Sequence, residues 1–252
     1  MNEIPPLKID RYKKIISLVN TNKRISLAEL EKSLEASRIT IQRDLVELET
    51  RKLLRRFHGG AMSMEYSEGL YNHDLKKSEN AAAKKEIAEK AVSLVKEGFY
   101  IGLDSSSTVY YLSETIFAGN VLAVTTSIDT FNNLASRDDI QAVIAGGRMN
   151  RKTGMLSGPE TVELIRKFRF DRVFLSVHSM IADHGFFDLY ADEVQVKRAF
   201  IESAKETVML IDSSKMAEIN GIKVCDFDEV DFLVTDKPEK FGLRKIFKNR
   251  LL

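Results

Sequence analysis

Cysteine is nearly missing from this chain: Cys225 stands alone among 252 residues, which excludes an internal disulfide and any cysteine-rich zinc site. Its neighbours Val224 and Asp226 predict an ordinary strand position rather than a redox or nucleophilic thiol. No stretch approaches the ~20 consecutive apolar residues needed to cross a bilayer. Met1-Asn2-Glu3, followed by Pro5-Pro6, lacks the basic and apolar regions of a signal peptide. A cytoplasmic protein without membrane contact is therefore expected. There is no sequence repeat and no low-complexity tract. A large net charge is missing too, but the formal +1 conceals an uneven distribution. Residues 1 to 62 carry 13 Lys and Arg against 8 Asp and Glu, whereas residues 63 to 252 carry 25 against 29. A basic head on a mildly acidic body is expected where only one end meets phosphates. The 44% hydrophobic content and the length allow one small domain and one of ordinary size.

The head carries the sharper signals. Ser26 followed three residues later by Glu29 has the form of a capping box, and Leu27, Leu30 and Leu34 then recur at helical spacing. After a Glu35-Ala36 connection, Ser37 can cap a second helix in which Ile41, Leu45 and Leu48 face inward. Arg38, Thr40, Gln42 and Arg43 then point outward with donor-rich side chains suited to base edges and phosphates. Ile15, Ile16 and Val19 mark a third helix beginning near Asp10. Leu54-Arg55-Arg56-Phe57-His58 reads as a strand, with Gly59-Gly60 as a tight wing tip. The outline is a winged helix-turn-helix over residues 1–62, with Ser37, Arg38, Thr40, Gln42, Arg43, Arg55, Arg56 and His58 as the DNA-facing set.

Residues 63–80 are polar without sustained period and read as a linker. Over residues 81–252 helices and short apolar runs alternate: Tyr100–Leu103, Val121–Val124, Ala142–Ala145, Val173–Leu175 and Val208–Ile211. Continuous short runs predict strands buried on both faces, hence an α/β domain with a mostly parallel sheet. Ile87, Ala91, Leu94 and Val95 form one helix face in front of it, with Gly98 as a C-cap. Ligands bind outside the carboxyl ends of such strands. The loops there are Asp104-Ser105-Ser106-Ser107-Thr108, Thr125-Thr126-Ser127, Gly146-Gly147-Arg148 and Asp212-Ser213-Ser214-Lys215. Hydroxyls, helix amino ends and close-approach glycines make a phosphate-sized polar pocket, although the same residue types also serve as plain caps and turns. Lys197, four residues after Glu193, is compatible with an exposed ion pair on one helix.

The head resembles the DeoR family of bacterial transcriptional regulators. That signature combines an Arg near the start of helix one, a Ser-x-x-Thr-Ile-x-Arg-Asp-Leu recognition helix and a closing Arg-x-His-Gly-Gly-Ala. Its elements stand here as Arg11, then Ser37, Thr40, Ile41, Arg43, Asp44 and Leu45, then Arg56, His58, Gly59, Gly60 and Ala61. Gln42 departs, where many relatives carry a second Arg. The body resembles the DeoR-type sensor domain, related in fold to ribose-5-phosphate isomerase. The resemblance implies a phosphorylated-sugar effector, cradled by the loops after Asp104 and Thr125; together with the strand-end pattern this gives as candidate ligand-binding residues Asp104, Ser105, Ser106, Ser107, Thr108, Thr125, Thr126, Gly146, Gly147, Arg148, Lys197, Asp212 and Lys215. By the same resemblance, Lys197 and Lys215 would pair with phosphate or sugar oxygens. Ser106-Ser107-Thr108, Thr125-Thr126 and Ser176-Val177-His178-Ser179 depart from the glycine-richer or Thr-Asn patterns of relatives. Such changes narrow or alter the pocket.

The expected function is a DNA-binding repressor of a carbohydrate-utilisation operon, acting on double-stranded operator DNA as a homodimer or homotetramer and controlled by the sugar phosphate. No cofactor and no metal are expected. Two alternatives remain: a body that serves only as an oligomerisation or docking scaffold, and a sugar-phosphate isomerase with an accessory head. The basic C-terminal stretch with Arg244, Lys245, Lys248 and Arg250 reads as a solvated helix.

Overall fold

The computed structural model describes residues 6–57, 59–64, 73–150, 153–216 and 221–252. They gather into two compact units, Met1–Ser78 and Glu79–Leu252. In the first unit the order is α1 (Pro6–Asn22), β1 (Arg24–Ser26), α2 (Leu27–Leu34), α3 (Arg38–Thr50), β2 (Arg55–Phe57), β3 (Gly60–Met62) and α4 (His73–Ser78). The leucine stripe of α2, the Ile41-Leu45-Leu48 stripe of α3 and Ile15 and Val19 of α1 close on one another as a single core. α1 begins at Pro6, before the expected start near Asp10, because proline pre-sets a helical φ and lacks an amide the first turn would leave unpaired. The capping box at Ser26 is complete: the Glu29 amide donates to Ser26 Oγ at 3.2 Å and the Ser26 amide to Glu29 Oε2 at 2.8 Å.

The wing holds three strands, in order β1-β3-β2 and all antiparallel. β1 is invisible in the sequence, since three residues show no usable period. Leu54 is buried in the core instead of opening β2, and His58 lies outside the described residues. Gly59 takes the positive φ of the turn, 95°. Gly60, expected at the tip, starts β3, and a Cβ there would lie 2.2 Å from the Ile25 carbonyl oxygen. α4 lies inside the stretch that reads as linker.

The second unit opens with α5 (Ala81–Ala91) and continues β4 (Tyr100–Leu103), α6 (Ser107–Thr115), β5 (Val121–Thr125), α7 (Ile128–Ala135), β6 (Ile140–Ile144), β7 (Arg148–Met149), β8 (Leu156–Ser157), α8 (Pro159–Arg166), β9 (Phe170–Leu175), β10 (Ser179–Ile181), β11 (Gly185–Asp188), α9 (Ala191–Glu202), β12 (Ala204–Ile211), β13 (Ile222–Cys225), β14 (Phe232–Thr235) and α10 (Leu243–Phe247). α5 ends earlier than the Gly98 cap requires, running into a 3-10 turn at Val92–Leu94. The main sheet has six strands in order β14-β12-β9-β4-β5-β6, every neighbouring pair parallel. All five apolar runs named from the sequence fall on its strands, the Ala142–Ala145 run ending one residue past β6; both faces are buried at the central strands, while the edge strand β6 is half-buried and Tyr100 at the start of β4 is exposed. Val208 and Leu210 pack with Ile87, Val109 and Leu112 on one side, while Met209 and Ile211 pack with Ile165 and Phe200 on the other. That is why the runs show no alternation. β14, the edge strand, and the small antiparallel sheet β10-β11-β13 were not foreseen.

The C-terminal stretch is not simply a solvated helix. Leu243 and Phe247 of α10 are fully buried, and the chain end docks on β14. The Leu252 amide donates to the Leu233 carbonyl at 2.9 Å and the Thr235 amide to the Leu252 carbonyl at 3.0 Å. Unpaired backbone on an edge strand offers that ladder to any short extended segment. Cys225 sits in β13, 2% exposed, and burial pushes its thiol up to about 12.

Candidate functional site

In the first unit the geometry centres on α3. Ser37 caps it, accepting from the Thr40 amide at 3.4 Å and sharing a 2.9 Å hydroxyl contact with Thr40. Arg38, Gln42 and Arg43 are exposed and Thr40 is half-buried, while Ile41, Asp44, Leu45 and Leu48 are buried. Asp44 does not face solvent. It receives the Arg11 guanidinium from α1 in a two-pronged ion pair, Arg11 Nε to Oδ2 and Nη2 to Oδ1 at 3.2 Å. The Asp44 carboxylate pushes the Arg11 guanidinium above its ordinary range, the shared hydrogen bond being the largest cause. A second tie joins the same helices, with Lys8 Nζ 2.6 Å from Glu47 Oε1 and the Tyr12 hydroxyl donating to Glu47 Oε2.

In the wing Arg55 is exposed. Arg56, also exposed, is tethered to the end of α3: its amide donates to Glu49 Oε1 and its Nε to Glu49 Oε2, each at 2.8 Å. The Arg24 guanidinium stacks over Phe57, 4.1 Å from the ring centre. Arg24 was not among the sequence candidates, because the strand that carries it was not recognised.

In the second unit the chain runs outward from β4 through β5 to β6, then returns to lay β9 against the other side of β4. Strand order therefore reverses between β4 and β9, the place where open parallel sheets form a crevice. Asp104, at the end of β4, spans that point and is fully buried. Its Oδ1 accepts from the Ser106 amide and its Oδ2 from the Ser176 amide beyond β9, both at 2.8 Å. Lys215, in the turn after β12, donates from Nζ to Ser176 Oγ at 2.8 Å.

Lys197 enters the same cluster from α9. It does not form an exposed pair with Glu193. Both side chains are buried, and Lys197 Nζ bonds Asp188 at the end of β11 and lies 3.9 Å from Asp104 Oδ2. Burial works most strongly against its charge, yet Asp188, Asp104 and Glu193 together outweigh it and hold the ammonium above its ordinary range. Asp188 likewise stays below the ordinary carboxyl range, burial being outweighed by Lys197 together with the Leu189 amide and Lys215. Asp188 was missed in the sequence. Its only signal is its place at a strand end just before the Glu193-Lys197 helix.

The remaining candidates divide. Ser106 caps α6 through the Val109 amide at 3.2 Å, Ser105 and Ser107 are buried beside it, and Thr125 Oγ1 accepts from the Ser127 amide at 3.2 Å. The buried hydroxyls of Thr108 and Thr126 have no hydrogen-bond partner among the described residues. Asp212 is used locally, accepting from the Ser214 amide at 3.2 Å and from Asn80 Nδ2 at 3.4 Å. Gly146, Gly147 and Arg148 follow β6, two strands from β4, and are exposed. The φ of Gly147 is 146°, and a Cβ there would lie 2.1 Å from Thr161 Oγ1. Among the described residues no helix is long and apolar enough to cross a membrane.

Comparison with known proteins finds a family model for each end of the chain. The model of the DeoR C-terminal sensor domain fits residues 79–237, and that of the DeoR-like helix-turn-helix domain fits residues 11–66. The chain is 33% identical over 231 residues to the glycerol-3-phosphate regulon repressor of Haemophilus influenzae, covering 91% of this chain and 90% of that protein. It is 30% identical over 241 residues to the HTH-type transcriptional regulator GolR of Listeria innocua, covering 95% of each. Among solved structures, ribose 5-phosphate isomerase A from Methanocaldococcus jannaschii is similar over 55% of this chain and 56% of that chain, at a TM-score of 0.40 and 21% identity, a likeness confined to part of the fold. With a helix-turn-helix of this type at one end, a sensor domain of the same type at the other and relatives matched along nearly their whole length, the chain belongs to the DeoR family of transcriptional regulators.

Proposed function

We propose that this protein is a cytoplasmic transcriptional repressor that binds double-stranded operator DNA through α3 and the wing, and that a phosphorylated sugar at the β4–β9 crevice sets its affinity. The observation that carries the DNA half is the surface of α3, where Arg38, Gln42 and Arg43 stand outward on a helix pinned from behind by Arg11 and Tyr12. Ser37, Thr40, Arg55, Arg56 and His58 complete the proposed contact set. One small winged unit makes too few contacts for tight specific binding, so the working form is a homodimer or homotetramer presenting two or more heads to spaced half-sites. The relative from Haemophilus influenzae is named for the glycerol-3-phosphate regulon, which supports a small phosphorylated polyol or sugar as the effector class.

The effector half rests on the crevice. Lys215, the amino end of α6 at Ser105–Thr108, the Thr125–Thr126 segment and the unspent hydroxyls of Thr108 and Thr126 supply one cation and several donors suited to an oxyanion. Asp104, Lys197 and Asp212 order that site and meet sugar hydroxyls, and Gly146, Gly147 and Arg148 form its outer rim. Two observations favour the scaffold alternative: Lys197 is already matched by buried carboxylates, and Lys215 already holds Ser176.

The experiment begins with selection of bound duplexes from a random pool by the purified full-length protein. The selected duplex is then titrated with sugar phosphates, their unphosphorylated parents and inorganic phosphate. One phosphorylated sugar that releases the duplex, while its parent does not, is the expected result. No effect across the panel, with specific DNA binding intact, would leave the scaffold reading standing and overturn the sensor half. A pool that yields no specific duplex would overturn the regulator reading itself.

A further inference from the structure

α3 presents an apolar side chain where a DNA-reading helix meets base edges. Ile39, in the first turn directly after the Ser37 cap, is 64% exposed, and Val46, seven residues on along the same face, is 45% exposed. Between them at helical spacing stand Gln42 and Arg43, both exposed. Scattered surface apolar residues are ordinary on any protein. Ile39 differs in its neighbourhood: it sits three and four residues before the outward donors of the same helix, on the turn whose residues reach deepest in helix-turn-helix docking. The inward stripe of the helix is filled by Ile41, Leu45 and Leu48, so Ile39 is surplus to the core.

The major groove offers one apolar group on its base edges, the C5-methyl of thymine. A β-branched side chain on a helix is held close to one χ1 rotamer, which makes Ile39 a pre-set apolar knob rather than a searching one. Resting on the DNA-binding role proposed above, we propose that Ile39 reads a thymine methyl in each half-site, between base or phosphate contacts made by Arg38 and by Gln42 and Arg43. The wild-type chain thereby requires thymine at one position where no hydrogen bond is made.

The test uses the selected duplex and a series in which each thymine in turn is replaced by uracil, which removes the methyl and keeps every hydrogen-bonding group. At one position per half-site the replacement weakens binding about fourfold, the fold-change one buried methyl group corresponds to, and Ile39→Ala abolishes that difference while melting at the wild-type temperature. Ile39→Val retains part of it. A specific duplex on which no uracil replacement is felt differently by wild type and Ile39→Ala would overturn the assignment while leaving the regulator reading intact. A lowered oligomeric mass of Ile39→Ala without DNA would overturn it as well, since the side chain would then be buried against a second copy. Failure to select any specific duplex removes the assignment together with the reading beneath it.

Discussion

Arg11 of α1 and Asp44 of α3 form a two-pronged ion pair behind the outward face of α3, with Asp44 only 2% exposed. The pair joins two residues thirty-three apart in sequence and ties α3 to α1. Asp44 is too deep to touch DNA, so its effect on binding is indirect. Arg11→Gln and Asp44→Asn are both expected to lower stability by about 1–3 kcal/mol and to weaken specific duplex binding. The slope of log affinity against log salt stays unchanged in both, because no phosphate contact is lost. Anisotropy titrations across a salt series decide the matter. A slope flattened by about one unit in Arg11→Gln alone would make Arg11 a phosphate contact instead.

Lys197 and Asp188 form a buried ion pair whose strength depends on pH. The folded Asp188 carboxyl lies below its ordinary value of 3.8, so its stabilisation is complete above that value and is lost as the pH falls beneath it. The Lys197 ammonium lies above its ordinary value of 10.5. Its contribution is therefore constant through neutral pH and disappears only in strong alkali. Asp188→Asn should cost about 3–5 kcal/mol at pH 7 by leaving a buried cation short of a partner, with a shallower acid limb than wild type. Adding Lys197→Met to that variant should recover part of the loss. Urea unfolding at pH 3, 5 and 7 is the measurement, and equal stability of Asp188→Asn and wild type at pH 7 would refute the pairing.

Gly60→Ala tests the wing. The added Cβ would meet the Ile25 carbonyl oxygen at 2.2 Å and the Phe57 ring at 2.6 Å, and a backbone atom within a sheet cannot step aside cheaply. A loss of about 1–3 kcal/mol is expected, together with weaker duplex binding. A thermal melt indistinguishable from wild type would show that the three strands tolerate wider spacing.

Lys215→Met tests the crevice. Wild type, at a ligand concentration about 100-fold above the dissociation constant, should gain about 2.7 kcal/mol from the effector, seen as a rise of several degrees in melting temperature. The variant should show no rise with the same phosphorylated sugar. An undiminished rise would move the phosphate away from the β12 turn.

Local chemistry was legible in the sequence and distant pairing was not. The capping box of Ser26 and Glu29 involves residues three apart, and the five apolar runs of the sheet announce burial on both faces by themselves. Asp188 was silent because its partner Lys197 reaches it only once β10 and β11 fold into a hairpin beside α9. Arg24 stayed hidden because β1 is three residues long and is defined by pairing with β3. The docking of Leu251 and Leu252 on β14 depends on an edge that exists only in the assembled sheet. The outward set of α3 follows from helical period alone, whereas Ile39 carries no separate signal, because an apolar residue beside an apolar stripe looks like more core.

Cys225 is buried within β13. A thiol held near 12 and walled into β13 stays protonated and beyond the reach of maleimides at neutral pH. Cys225 thus stays silent to thiol labelling without prior substitution. A single cysteine introduced at an exposed place, Lys32 on α2 for instance, would carry a dye or spin label at one known position, so that binding of DNA to the head could be followed directly.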